Sequence, residues 1–211
     1  MHTTLNVMTA IKNLVNDPAF KAKHRISESA FTRKRHLSFV RVTVLITSAG
    51  FILLEEECGL RWRGDAAVVT GHLQGYFTAP AGILAYHDEK DFTAPLASGS
   101  SFPDALVVCP CTMGTVARIA HGVSGTLLER AADVALKEGR PLLLVPRETP
   151  LSVLHLENLL HLSRLGVRIV PAMPAFYHHP TTLDDLVNFV VGKVLDQLGI
   201  AHDLFARWGN P

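Results

Sequence analysis

A chain of 211 residues, 48% of them hydrophobic, is long enough to bury a substantial core and short enough to form one α/β domain. Its formal charge of +1 gives no global field to draw it toward nucleic acid or an anionic membrane. No apolar run approaches the roughly 18 to 20 residues that span a bilayer, and no secretory hydrophobic region opens the chain, so a soluble protein is expected.

The charge is uneven along the sequence. Residues 1–40 carry seven Lys and Arg against only Asp17 and Glu28, so the remainder is net negative. This opening stretch shows neither clear amphipathicity nor a strand followed by a glycine turn. It reads as a divergent or poorly ordered segment ahead of a domain at 41–211.

From Arg41 onward the pattern is regular. Val42–Thr47 is a β-branched run that predicts a buried strand, ending in a turn at Ser48-Ala49-Gly50. A helix from Phe51 to Cys58 closes near Gly59, and Ile83–Tyr86 is a short strand. Thr93–Ser101 has the composition of a surface loop. Ala105–Cys109, apolar on both faces, predicts a strand of a covered parallel sheet. It runs through Pro110 into a helix reaching Ile119. Leu127–Lys137 is a helix stopped by Gly139, Leu142–Val145 a buried strand, Val153–Leu165 a helix ending at Gly166, and Val167–Val170 the last strand. A final helix from about Thr182 to Leu198 has Asp184 and Asp185 in its first turn, where acids suit the dipole. Strands alternating with helices predict an α/β, single-domain, doubly wound parallel sheet, with ligands beyond the carboxyl ends of the strands.

The polar clusters fall at those ends. Thr47-Ser48 follows one strand and Thr112-Met113-Gly114-Thr115 another. Hydroxyls and a glycine at a helix N-terminus are a helix cap or a phosphate cradle. Arg147-Glu148, after the Leu142–Val145 strand, is either a surface ion pair or an anion anchor. Arg130, Asp133 and Lys137 share one helical face, as a solvated charged surface also would. Phe176-Tyr177-His178-His179 lies in a proline-flanked loop, where two histidines without a third ligand do not make a metal site. Cys58, Cys109 and Cys111 form no disulfide framework, and Cys109-Pro110-Cys111 lacks the two-residue spacer of a zinc or redox pair; small strand-end residues in a reducing cytoplasm are expected.

Taken in order, several of these segments resemble the bacterial flavin prenyltransferase family. The matching text is Ala97–Ser101, Cys109–Thr115, Leu128–Glu138, Pro146–Pro150, His155–Asn158, Pro174–Tyr177, Asp185–Lys193 and Arg207–Gly209. The resemblance implies a flavodoxin-like Rossmann three-layer sandwich and a homo-oligomer, a dodecamer in that family, with sites at subunit interfaces. It also implies transfer of a dimethylallyl group from dimethylallyl phosphate to N5 and C6 of reduced FMN, without metal. The prenylated FMN would pass to a partner decarboxylase of ubiquinone or aromatic-acid metabolism.

By residue, the resemblance assigns FMN to Thr47, Thr112, Met113, Gly114, Thr115 and Arg147. It assigns the prenyl phosphate to Lys137, Arg147, Tyr177 and Lys193, with Phe92 in the apolar wall, and catalysis to Glu148, Lys137 and Glu57. Thr112 stands where Ser is usual and keeps the hydroxyl. Lys193 stands where Arg is frequent and keeps the charge without the fork. The family's opening strand and Gly-Ala-Ser-Gly flavin loop have no counterpart, since no Gly-Ser turn occurs in residues 1–40. That departure keeps two alternatives in view: a non-catalytic FMN-binding or assembly subunit, and an FMN-dependent cysteine decarboxylase-like enzyme.

Overall fold

The computed structural model describes residues 41–209. The expectations for residues 1–40, a divergent segment without the flavin loop, lie outside the described residues. The chain divides into two compact units, whose described parts are residues 41–88 and 89–209.

In the smaller unit β1 (Val42–Leu45) pairs in parallel with β2 (Leu84–His87), Val42 opposite Leu84. Helix α1 (Ser48–Cys58) starts immediately after β1. Ser48-Ala49-Gly50 is therefore its first turn and not the separate turn expected. The reason is Thr47, whose extended backbone and hydroxyl cap the helix by accepting the Gly50 N–H at 3.1 Å. Gly59, at φ 67°, closes the helix as predicted.

Helix α2 (Ala66–Phe77) was not legible by propensity, because Val68, Val69, Thr70, Gly71 and Gly75 are poor helix formers. Two things hold it. Asp65 accepts the Ala67 and Val68 N–H groups, both at 3.0 Å, and Val69, Leu73 and Phe77 bury a stripe at four-residue spacing. With Ile46, Leu54, Trp62, Leu84 and Tyr86 they form this unit's core.

In the larger unit two short 3-10 turns, Pro95–Ala97 and Gly99–Ser101, occupy the predicted loop. Beyond them lie β3 (Leu106–Cys111), α3 (Met113–Ala120), α4 (Leu127–Lys137), β4 (Leu142–Pro146), α5 (Val153–Arg164), β5 (Arg168–Ile169) and α6 (Leu183–Leu198). The strands are parallel in the order β3-β4-β5. β4 is buried at every residue, as its unbroken apolar run predicts. Strand β3 continues past Pro110, which offers no N–H to a ladder. The register shifts between Val108 and Cys111, and pairing resumes with Cys111 opposite Pro146. β5 is shorter than expected, yet Val170 and Ala172 still donate to Leu144 and Pro146 at 2.8 and 2.9 Å.

The helices here are capped by their own side chains. Thr126 with Glu129, Ser152 with His155 and Thr182 with Asp185 each close a capping box. Asp185 is fully engaged in this, accepting the Thr181 and Thr182 N–H groups at 2.8 Å each. Those bonds hold its carboxyl below the usual range.

Candidate active site

The carboxyl ends of β3, β4 and β5 release three polar segments side by side. Cys111 and Pro146 are register partners, so Thr112 and Arg147 are the next residues on neighbouring strands. The bond from Ala172 to Pro146 starts the loop toward Tyr177 at the same end.

Thr112 is the N-cap of α3 and accepts the Thr115 N–H at 3.2 Å, while the two hydroxyls lie 3.0 Å apart. Thr112 and Gly114 are exposed, whereas Met113 and Thr115 are buried. A Cβ at Gly114 would meet only Arg118 Nη1 at 3.4 Å and Thr112 Oγ1 at 3.9 Å. The chain's own packing therefore does not demand glycine there. A glycine retained at an exposed helix N-terminus fits close approach of a ligand to the free N–H groups.

Arg147 and Glu148 are exposed, and among the described residues neither side chain has an ion-pair partner. The surface pair that the sequence left open is therefore not made. Tyr177 is packed edge-on between Phe189 and Trp208, with ring centroids 5.8 and 5.3 Å away. Lys193, one helical turn after Phe189, places its ammonium 6.0 Å from that ring and 3.9 Å from Asp196. Tyr177 and Lys193 are thus brought together on a shared phenylalanine. Phe92 lies at the start of the 3-10 loop with 46% of its surface exposed.

Lys137 is placed differently. It ends α4, five residues before β4 begins, whereas Arg147 comes directly after the end of β4. At about 3.3 Å per residue, the five residues of β4 put the backbones of the two residues on the order of 15 Å apart along the sheet, at its opposite ends. Lys137 instead pairs with Glu138 at 3.3 Å. In the smaller unit Thr47 is the cap already described, and Glu57 has a buried carboxylate oxygen with no hydrogen-bond partner among the described residues.

Burial pushes the Cys109 and Cys111 thiols up to about 12, so neither is a ready thiolate. Among the described residues no three His, Cys, Asp or Glu side chains are grouped as metal ligands would be. None of the described helices is long and apolar enough to cross a membrane. A concavity of the larger unit, about 390 Å³ and lined by Asp104, Pro141, Arg168 and Asp196 among others, opens at the amino ends of the strands. It is away from the hydroxyl turn.

Two residues of this region escaped the sequence reading, Arg118 and Glu129. Glu129 is 4% exposed and accepts the Gly125 and Thr126 N–H groups at 2.8 and 3.1 Å. Arg118 donates through Nε to its other oxygen and through Nη2 to Thr115 Oγ1 at 3.3 Å. The Thr126-x-x-Glu129 spacing was a visible capping-box signal, but the partner eleven residues earlier leaves no local pattern.

Parallel strands that end in capped helix N-termini, with an exposed arginine beside them, define an α/β protein built to hold an anionic, nucleotide-like ligand. The chain belongs to the Flavoprotein family, whose model matches residues 33–195, and within it to the flavin prenyltransferases. It is 53% identical over 170 residues to a flavin prenyltransferase UbiX of Halalkalibacterium halodurans, covering 81% of each chain. Its structure is similar to that of a dodecameric FMN-dependent UbiX-like decarboxylase from Escherichia coli O157:H7. There the TM-score is 0.75 at 36% identity, over 100% of this chain and 95% of that one. It is also similar to AnUbiX (PadA1) in complex with FMN and dimethylallyl pyrophosphate, with TM-score 0.75, 28% identity and coverage of 99% and 92%. The flavodoxin-like α/β fold expected from the sequence is the fold of these relatives.

Proposed function

We propose that this chain transfers a dimethylallyl group from dimethylallyl phosphate to N5 and C6 of reduced FMN, giving prenylated FMN for a partner decarboxylase. The observation that carries the reading is the row of hydroxyl, glycine and unpaired arginine at the carboxyl ends of β3 and β4. The relatives' activity, and the flavin and prenyl diphosphate bound by one of them, support it.

The residues fit a flavin phosphate. Thr112 would hold it with the free N–H groups of α3, Thr115 would support the Thr112 hydroxyl from behind, Gly114 would let it approach, and Arg147 would offer a planar fork. Family likeness assigns Thr47 to the same cofactor and Glu57 to the chemistry. Glu57's partnerless carboxylate oxygen suits a group that receives a donor from a ligand.

Reduced FMN supplies the two nucleophilic atoms. The chain's part is electrostatic. As the prenyl C–O bond breaks, charge grows on the departing phosphate, and Arg147 and Lys193 stabilise it where it forms. Tyr177 orients the phosphate by its phenol, Phe92 lines the apolar side, and Glu148 moves a proton. Lys137, at the far end of its own sheet, joins this group only from a second copy of the chain. A homo-oligomer, dodecameric as in the similar E. coli structure, would provide that copy. Asp185 is occupied by capping, so the Asp184-Asp185 doublet serves α6; a metal-independent reaction suits this residue set. A cytoplasmic setting, which supplies reduced flavin and keeps the three cysteines reduced, suits the reaction.

The test is direct. Purified full-length protein is incubated anaerobically with FMN, a reductant and dimethylallyl phosphate, and the flavin mass is measured. A gain of one prenyl group is expected. Unmodified FMN released from a complex would contradict transfer and favour a flavin-carrying subunit. A parallel arm with dimethylallyl diphosphate shows which phosphoester is used.

A further inference from the structure

Among the described residues of the larger unit Thr115, at 9% exposure, and Glu129, at 4%, are buried polar residues, and Arg118 joins them. A carboxylate taken this far from water is tolerated only when both oxygens are satisfied, and here they are: Oε2 by two backbone N–H groups, Oε1 by Arg118. The ion pair therefore fixes the guanidinium, and the guanidinium fixes the direction of the hydrogen bonds beyond it.

Arginine can only donate, so Thr115 Oγ1 accepts from Nη2. The Thr115 N–H likewise donates to Thr112 Oγ1. One proton remains to be placed between the hydroxyls, which are 3.0 Å apart. If Thr112 donated to Thr115, the proton of the buried Thr115 hydroxyl would have no acceptor, and buried donors are not left that way. Thr115 therefore donates to Thr112. The exposed Thr112 then accepts twice and has its own proton free for whatever lies above the α3 N-terminus.

We propose that Arg118 and Glu129 are positioning residues, which set the direction of the Thr115–Thr112 hydroxyl pair so that Thr112 donates its proton to an acceptor oxygen of the bound flavin. The proposal rests on the flavin reading and deepens it. Glu129 links the start of α4 to the start of α3 without touching the ligand. Either hydroxyl residue, Ser or Thr, would serve at position 112, because only the proton's direction matters.

The experiment measures FMN affinity by fluorescence quenching for full-length protein and for Thr115→Val, Thr115→Ser, Thr112→Val and the Thr112→Val/Thr115→Val double variant. Thr115→Val leaves the Arg118–Glu129 pair intact, so folding does not depend on a stranded charge. Arg118→Met is made alongside with its melting temperature recorded; in folded protein it is expected to weaken FMN about as much as Thr115→Val, and unchanged affinity there overturns the positioning role. Thr115→Val is expected to weaken FMN about tenfold, the worth of one oriented hydrogen bond, while Thr115→Ser stays within about twofold. In the Thr112→Val background the further loss from Thr115→Val should shrink below about twofold, since the hydroxyl it orients is gone. Losses that multiply, or unchanged affinity in Thr115→Val, overturn the relay alone. A wild-type chain that binds no FMN overturns the flavin reading and the relay with it.

Discussion

Arg147 and Glu148 stand next to each other in sequence and have opposite effects on an anion. Arg147 is an exposed guanidinium without an acidic partner among the described residues, set beside a helix N-terminus by the pairing of Cys111 with Pro146. That arrangement suits the anion proposed to bind there. Glu148 would repel the same anion, so its presence needs a task, and proton transfer is the one the reaction provides. Glu148→Gln keeps the size and removes the proton chemistry. It is expected to slow single-turnover prenyl transfer on the order of 100-fold or more while FMN affinity stays within about threefold. Rapid-quench measurement of the flavin product checks this, and an unchanged rate removes Glu148 from the reaction. The hydroxyl turn was legible in the sequence because a strand running into Thr-x-Gly-Thr has few structural meanings. Arg118 was not, since its role depends on a buried acid brought near only by tertiary packing.

At the scale of elements, the tail and α6 form one device. Gly192 is required by the packing, because a Cβ there would collide with a Phe205 ring carbon and lie 2.5 Å from His202. Asp196 then gathers the tail: Arg207 grips its two oxygens at 2.7 and 3.1 Å, and His202 lies at 3.2 Å. Trp208 is carried onto Tyr177 as a result.

The Arg207 guanidinium, with a smaller contribution from His202, holds the Asp196 carboxyl below its ordinary value of 3.8. A depressed carboxyl contributes stability that is present above its ordinary range and lost as pH falls through the depressed value. Trp208 emission should therefore stay constant from neutral pH down to about 4 and change only below that range. Asp196→Asn should show the acid-form emission at every pH. A transition centred near neutrality would contradict the clamp.

Elements with caps and glycine stops, such as α4 and α6, could be read residue by residue. Helix α2 could not, because its stability comes from burying Val69, Leu73 and Phe77 against the strands of its own unit, and propensity argues the other way. The overlooked cue was Asp65 standing ahead of that stripe.

On the scale of the whole molecule, the α/β class and, apart from α2, the order of elements were legible from Arg41 onward, because alternating strands and helices leave a strong apolar rhythm. The site was only half legible. Sequence likeness gathers Lys137, Arg147, Tyr177 and Lys193 into one group, whereas β4 separates Lys137 from Arg147 within the chain. No sequence pattern reports which copy supplies a side chain. On the proposal that a second copy supplies Lys137, the two halves of the pocket can be disabled on different chains.

The decisive test is co-assembly of Lys137→Ala and Arg147→Ala chains, read as prenylated FMN formed per mole of chain. Each variant alone should be inactive by about 100-fold or more. Mixed assemblies should regain a substantial fraction of wild-type activity, because some interfaces then combine a native Lys137 with a native Arg147. Activity that never exceeds the sum of the two separate variants would show that the cations do not meet across copies, and a pocket shared between subunits would be ruled out.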